Sequence, residues 1–179
     1  LTTGSLYALI ALGYTMVYGV LKMINFAHGE VFMLGSFAGY GILVALGGDD
    51  LSGPMIAAAI LAAIAGAMVV SATASAVIER LAYRRLRNAP RLAPLISAIG
   101  VSIFLQYLVL DRTEARAKFY PDIFPRGEFG AGAFQVAYMQ AFLIASSVVM
   151  MLFLYAIVQR TRAGRAIRAV AENPANASL

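Results

Sequence analysis

The sequence contains no cysteine and only one histidine among its 179 residues. A chain without cysteine has no disulfide, no thiolate metal site and no cysteine nucleophile. A single histidine, His28, leaves no histidine pair for zinc, so we expect no metal site. The phosphate-binding loop G-x-x-x-x-G-K-[ST] and the H-E-x-x-H and G-x-S-x-G motifs are also absent. The sequence predicts that this chain is not an enzyme and holds no cofactor of its own.

Charge is also scarce. Charged residues make up 13% of the chain, hydrophobic residues make up 61%, and the mean hydropathy is +0.78. About a quarter of the residues in a soluble domain are charged, because its surface faces water. The composition therefore indicates a protein whose surroundings are lipid.

Long uncharged or nearly uncharged stretches follow one another along the whole chain. A helix needs roughly 20 apolar residues to cross about 30 Å of hydrocarbon. We predict an all-α, polytopic transmembrane bundle in a single domain, 1–179, with about five spans: Leu1–Leu21, Ile24–Leu46, Leu51–Ile78, Leu92–Leu110 and Gly130–Gln159. No initiator Met or signal peptide precedes Leu1, so we expect a fragment truncated at both ends.

Basic residues cluster in two segments outside these stretches. Segments 79–91 and 160–179 each carry several arginines and few acids, whereas segment 111–134 is balanced between the two signs. Cytoplasmic loops of membrane proteins carry an excess of Lys and Arg. We therefore predict that 79–91 and 160–179 are cytoplasmic and that 111–134 is a periplasmic loop. This placement accounts for the formal net charge of +5 without a nucleic-acid partner.

The third stretch carries small residues at every fourth position. A stripe of small side chains lets helix backbones approach closely inside a membrane bundle. The stripe predicts a helix-packing face, although an alanine-rich membrane helix also produces such stripes by chance. Its members are Ala59, Ala63, Ala67, Ser71 and Ser75.

Three polar residues stand where the second stretch begins: Asn25, His28 and Glu30. A carboxylate inside the bilayer costs about 2.5–3.5 kcal/mol on insertion scales, so Glu30 is expected to face protein or water. One interpretation is structural: Asn25 caps the helix and Glu30 interacts with its positive end. The other is functional, with the three residues forming a polar gate or lining a translocation path. The sequence leaves both open.

The tail predicts a short amphipathic helix after the last stretch. Arg165, Arg168 and Glu172 are spaced to share one helical face, and Ala166, Ile167 and Val170 supply apolar side chains. Such a helix either lies on anionic lipid or docks into a groove of a cytosolic partner.

The polar motif and its flanks resemble a known family. The runs 4–19, 24–30 and 33–36, then 79–84, 91–100 and 104–106, and finally 162–179, are similar to the LivH-type permeases of high-affinity branched-chain amino-acid ABC importers. The similarity covers nearly the whole chain at colinear spacing. Members of this family begin several residues earlier and continue for roughly three further helices.

The resemblance implies an inner-membrane importer subunit for leucine, isoleucine or valine. It implies a second, LivM-like permease, two cytosolic ATPases that hold the ATP and Mg²⁺, and a periplasmic substrate-binding protein. It also favours ATPase docking for the tail, with coupling residues Gly164, Arg165, Arg168, Ala171 and Glu172. Permeases for urea or short-chain amides have a similar opening and are the nearest alternative. A non-transporting structural membrane subunit is a remote alternative, and an intramembrane enzyme would need a constellation that is missing here.

Overall fold

A computed structural model describes residues 2–21, 24–51, 53–86, 89–90, 92–123, 127–129 and 136–172. Several predicted features lie outside these residues: Arg87 and Arg91 of the first basic segment, 173–179 of the second, and 124–126 and 130–135 of the segment between α4 and α5 as defined below.

The described chain consists of helices, with one pair of two-residue strands. This confirms the predicted all-α class. The helices are α1 (Thr2–Leu21), α2 (His28–Ala45), α3 (Pro54–Ile78), α4 (Leu92–Thr113), α5 (Tyr138–Arg160) and α6 (Arg162–Glu172). A 3₁₀ turn (Gly48–Asp50) precedes α3, and a π-helical turn (Glu79–Tyr83) and a second 3₁₀ turn (Arg84–Leu86) follow it. The strands β1 (Glu128–Phe129) and β2 (Val136–Ala137) pair antiparallel.

Three helical stretches in the described residues are long and apolar enough to cross a membrane. They are Pro54–Leu86, Leu92–Thr113 and Tyr138–Arg160, with hydropathies of 2.4, 2.0 and 2.5. Helices α1 and α2 have 20 and 18 residues, so the predicted number of five spans is approximate. The second and fifth spans differ from their predicted bounds. The helix of the second begins at His28 rather than at Ile24, and the helix of the fifth begins at Tyr138 rather than at Gly130, after the strand Val136–Ala137.

The chain divides into two compact units. The central unit comprises Asn25–Ile123, and the terminal unit comprises Leu1–Ile24 and Phe124–Leu179.

In the central unit, α2 packs along α3. The buried residues of α2 recur at every fourth position: Val31, Gly35, Gly39 and Leu43. A Cβ atom at Gly35 would overlap the Ser71 hydroxyl of α3, and a Cβ atom at Gly39 would lie 3.6 Å from the Ala63 carbonyl oxygen. Gly35 therefore allows a close approach to α3 that a larger residue would disturb, whereas a Cβ atom at Gly39 would make only ordinary van der Waals contacts. This Gly-x-x-x-Gly spacing was not among the predicted packing features.

In the terminal unit, α5 packs against α1 and α6 packs against both. The hydroxyl of Ser147, which is buried in the middle of α5, donates a hydrogen bond to the Ser5 carbonyl oxygen of α1 at 3.0 Å. Polar contacts of this kind join helices inside a membrane, where water is not available as a partner.

Candidate functional site

The chain enters α2 through a turn built on Asn25. Its carbonyl oxygen accepts a hydrogen bond from the His28 backbone N–H at 3.1 Å, and its side-chain Oδ1 accepts one from the Ala27 N–H at 3.1 Å. The Tyr83 hydroxyl, from the π-helical turn after α3, donates to the same Oδ1 at 2.6 Å. Ala27, not Asn25, occupies the helix-capping position, and it is fully buried. Asn25 therefore shapes the turn and ties it to the end of α3.

Glu30 joins α2 to α4. Its Oε1 accepts hydrogen bonds from the Ser102 hydroxyl at 2.9 Å and from the Gln106 amide nitrogen at 2.7 Å. Ser102 and Gln106 are four residues apart, so they lie on one face of α4. The Glu30 side chain is half-buried. The structure thus places Asn25 and Glu30 in one polar region of the central unit, here called the α2 entrance and defined by Asn25, Glu30, Tyr83, Ser102 and Gln106.

His28 is the first residue of α2 and is half-buried. Two positions separate it from Glu30, which puts the two side chains about 200° apart around the helix axis. Within the described residues, no group of three or more His, Cys, Asp or Glu side chains is arranged to hold a metal ion.

A second polar feature of the central unit lies farther along α2. Tyr120 donates a hydrogen bond from its hydroxyl to the Ser36 carbonyl oxygen at 2.6 Å, and its ring stands edge-on to that of Tyr40 with centroids 5.8 Å apart. Together with Phe37 and Lys118, these residues line a small open cavity of about 70 Å³. The segment after α4 is thereby held against α2.

The small-residue stripe of α3 has two environments. Ala59 and Ala63 are buried, and Ala67 and Ser71 lie next to Gly39 and Gly35 of α2. The Ser71 hydroxyl also donates to the Val31 carbonyl oxygen at 3.3 Å. Ser75 is exposed. The part of the stripe from Ala59 to Ser71 is therefore the part that packs within this unit.

The junction between α5 and α6, in the terminal unit, is a second candidate site. The Thr161 hydroxyl donates to the Ile157 carbonyl oxygen at 2.6 Å and accepts from the Gly164 N–H at 3.0 Å, so Thr161 both ends α5 and caps α6. Gly164 is buried against the last turn of α5. A Cβ atom there would overlap the carbonyl oxygens of Ile157 and Val158, so the close approach of α6 requires glycine.

Arg168 ties α6 to α5. Its Nη1 donates to the Val158 carbonyl oxygen at 2.7 Å and to the Gln159 Oε1 at 2.6 Å. The carbonyl groups in the last turn of a helix have no partner within the helix and carry partial negative charge, so a cation is favourable there. Arg168 is half-buried by these contacts.

The remaining predicted coupling residues lie elsewhere on α6. Arg165 is exposed, whereas Ala171 is half-buried and Glu172 is the last residue of the helix, with its side chain outside the described part of the structure. Arg165 and Arg168 were expected to share a face, but their surroundings differ. Arg168 binds the end of α5, whereas Arg165 is exposed.

Sequence reasoning missed Tyr83, Ser102 and Gln106 at the α2 entrance and Thr161 at the α5–α6 junction. A usable signal existed for two of them. Ser102 and Gln106 are polar, four residues apart and in the middle of an otherwise apolar span, where polar side chains need protein partners. Tyr83 and Thr161 carry no such signal, because tyrosine and threonine are ordinary near the ends of membrane helices.

The sequence matches known proteins along its full length. Residues 1–179 match the protein family described as branched-chain amino acid transport system, permease component. The chain is 44% identical to the high-affinity branched-chain amino acid transport system permease protein BraD of Pseudomonas aeruginosa, over 97% of this chain and 57% of that protein. It is also 44% identical to the LivH permease proteins of Salmonella typhimurium and Escherichia coli, over 99% of this chain and 58% of each relative. No solved structure matches the chain significantly.

The chain spans less than two thirds of the length of these relatives. The three apolar helices and the similarity to permease components together indicate that the chain is an integral membrane protein.

Proposed function

Because the chain belongs to the family of branched-chain amino acid transport system permease components, we propose that it is the membrane subunit of an ATP-driven importer for leucine, isoleucine and valine. The observation that carries this proposal is the 44% identity maintained along nearly the whole chain with proteins named as branched-chain amino acid permeases. The proposed location is the inner membrane of a bacterium.

The proposed importer includes partner proteins for solute delivery, for the translocation path and for ATP hydrolysis. A second, LivM-like permease would complete the path, a periplasmic binding protein would deliver the solute, and two cytosolic ATPases would bind ATP and Mg²⁺ and hydrolyse ATP. In the proposed orientation the basic segments 79–91 and 160–179 are cytoplasmic and 111–134 is periplasmic, as the positive-inside rule indicates.

The α5–α6 junction is the proposed coupling element. Gly164, Thr161 and Arg168 attach α6 closely to the end of α5. A displacement of α6 would therefore be transmitted to a membrane span rather than absorbed by a loose connection. Arg165, exposed on α6, would contact the ATPase, together with Ala171 and Glu172 at the helix end.

The α2 entrance is the proposed gate of an alternating-access cycle. Asn25 and Glu30 bridge the start of α2 to the end of α3 and to α4, so a relative movement of these helices would break or form polar contacts at this point. His28 belongs to the same turn and is proposed as a lining residue.

The test of solute and mechanism is uptake into vesicles that carry the complete importer. Labelled leucine should accumulate in vesicles that enclose ATP, and labelled urea should not. Uptake of urea without leucine would contradict the proposal and favour the amide permease. ATPase activity unaffected by any solute-loaded binding protein would favour a structural subunit instead.

The coupling assignment has its own test. Arg165→Ala should lower the uptake achieved per ATP hydrolysed while leaving assembly of the complex intact, because the side chain makes its contact outside this chain. Arg116→Ala is the matched control: it removes an exposed arginine whose partner, Glu114 at 2.9 Å, is equally exposed, and such surface pairs contribute little. Equal coupling in the two variants would remove Arg165 from the proposed docking surface.

A further inference from the structure

Glu30 lies away from the ends of the helices beside it. Its partner Ser102 is about 15 Å from Leu92 and about 17 Å from Thr113 along the axis of α4. The next residue, Val31, accepts the hydrogen bond of Ser71, which is about 26 Å from Pro54 and about 11 Å from Ile78, the two ends of α3. Glu30 therefore lies beside the middle of α4 and within the apolar length of α3, not at a helix end.

The carboxylate has only neutral donors at this depth. The Ser102 hydroxyl and the Gln106 amide both bond to Oε1, so Oε2 keeps its acceptor capacity, since an ionised carboxylate offers about four lone-pair sites. The sequence has no lysine or arginine between positions 24 and 78 or between 92 and 111. Arg112, the basic residue in the last turn of α4, is about 15 Å along the helix from Ser102.

A carboxylate inside a membrane is normally paired with a cation or faces a water-filled cavity. Glu30 is half-buried, and its accessible part would be costly to expose to lipid. The α2 entrance therefore presents a half-buried carboxylate that is held in place from α4 and has only neutral hydrogen-bond donors among the described residues.

We propose that Glu30 binds the primary ammonium group of the amino acid as it passes the α2 entrance, with Ser102 and Gln106 positioning the carboxylate. This inference rests on the proposed function, because it takes its ligand from the solute class assigned above. A free amino acid is a zwitterion whose ammonium group supplies the cation that the site lacks. Urea and simple amides carry no such charge at neutral pH, so the site would also discriminate against them.

The absence of cysteine from the chain permits a test by charge replacement. The complete importer carrying Glu30→Cys is assayed for leucine uptake before and after treatment with two methanethiosulfonate reagents, one bearing a sulfonate and one bearing an ammonium group. The wild-type complex, treated identically, reports any modification of the other subunits. Glu114→Cys, an exposed carboxylate position after α4, is the matched control.

We expect Glu30→Cys and Glu30→Gln to lower leucine uptake about 10- to 100-fold, as for loss of a charge-assisted hydrogen bond, and the control Glu114→Cys to leave uptake unchanged. The sulfonate reagent should restore uptake of Glu30→Cys several-fold, because it returns a negative charge, and the ammonium reagent should not. Leucine should slow modification of the Glu30→Cys thiol. Ser102→Ala should show a smaller loss of the same kind.

Two results would overturn the inference: wild-type uptake in Glu30→Gln, or equal effects of the two reagents on Glu30→Cys. Each is distinguishable from failure of the proposed function, which would appear as absence of leucine uptake in the wild-type complex.

Discussion

Gly164 provides the sharpest test of the α5–α6 junction. We expect Gly164→Ala to destabilise the permease, because the new Cβ would overlap the carbonyl oxygens of Ile157 and Val158. If the helices hold their positions, overpacking of this kind costs about 1–3 kcal/mol. If α6 instead moves away, the hydrogen bonds from Arg168 to the end of α5 are lost, at about 1.5–3 kcal/mol for a charged donor. Either response opposes the gain of about 0.4–1 kcal/mol that alanine gives at an unconstrained helical glycine.

The control variant is Gly100→Ala in α4, where a Cβ atom would meet nothing within 4 Å. The full-length permease is purified in detergent and its thermal unfolding midpoint is measured for both variants. At about 2–4 °C per kcal/mol for a protein of this size, Gly164→Ala should unfold several degrees below wild type, and Gly100→Ala should unfold at or slightly above it. In the assembled importer, Gly164→Ala should also lower the uptake per ATP hydrolysed, since α6 would no longer move with α5. Identical midpoints for the two variants would refute the proposed contact.

Three further predictions concern packing and topology. Gly35→Ala should destabilise the central unit by about 1–3 kcal/mol. Adding Ser71→Ala to the same chain should recover most of this loss, because the new Cβ atom overlaps the Ser71 hydroxyl. A double-mutant cycle of unfolding free energies measures the coupling, and purely additive effects would contradict the contact. Tyr120→Phe should cost about 0.5–1.5 kcal/mol by removing the hydroxyl bond to α2, measured by the same unfolding assay, and an unchanged midpoint would show that this bond adds no stability. Single cysteines replacing Arg84 and Arg165 should react with a membrane-impermeant thiol reagent only from the cytoplasmic side; reaction from opposite sides would invalidate the proposed orientation.

Two parts of the candidate site differ in how far the residues alone could predict them. Asn25, His28 and Glu30 can be recognised from the sequence alone, because polar residues inside an apolar stretch require polar partners. Their partners do not stand out equally. Ser102 lies 72 positions from Glu30 and Tyr83 lies 58 positions from Asn25, and no local rule connects residues so far apart. The sequence therefore identified one residue of each hydrogen-bonded pair, and only the packing of the helices identified its partner.

The tail shows a different limit. The spacing of Arg165 and Arg168 predicted one shared basic face, because three residues make most of a helical turn. In the structure, α6 approaches the end of α5 closely at Gly164. Arg168 therefore lies beside the last turn of α5, where the carbonyl oxygen of Val158 accepts its hydrogen bond. Helical periodicity gives the angle between two side chains but not which of them meets another helix.

Composition and the length of the apolar stretches were enough to determine the all-α class and the membrane setting, since both follow from the cost of placing charge and unpaired backbone groups in lipid. The family resemblance was likewise visible in the residues themselves. The tertiary structure decided that α2 starts beside the middle of α4, that Gly35 lies close to Ser71 of α3, and that Glu30 meets Ser102 and Gln106. These features depend on how helices distant in sequence come together, and hydrophobicity, being non-directional, does not specify that arrangement.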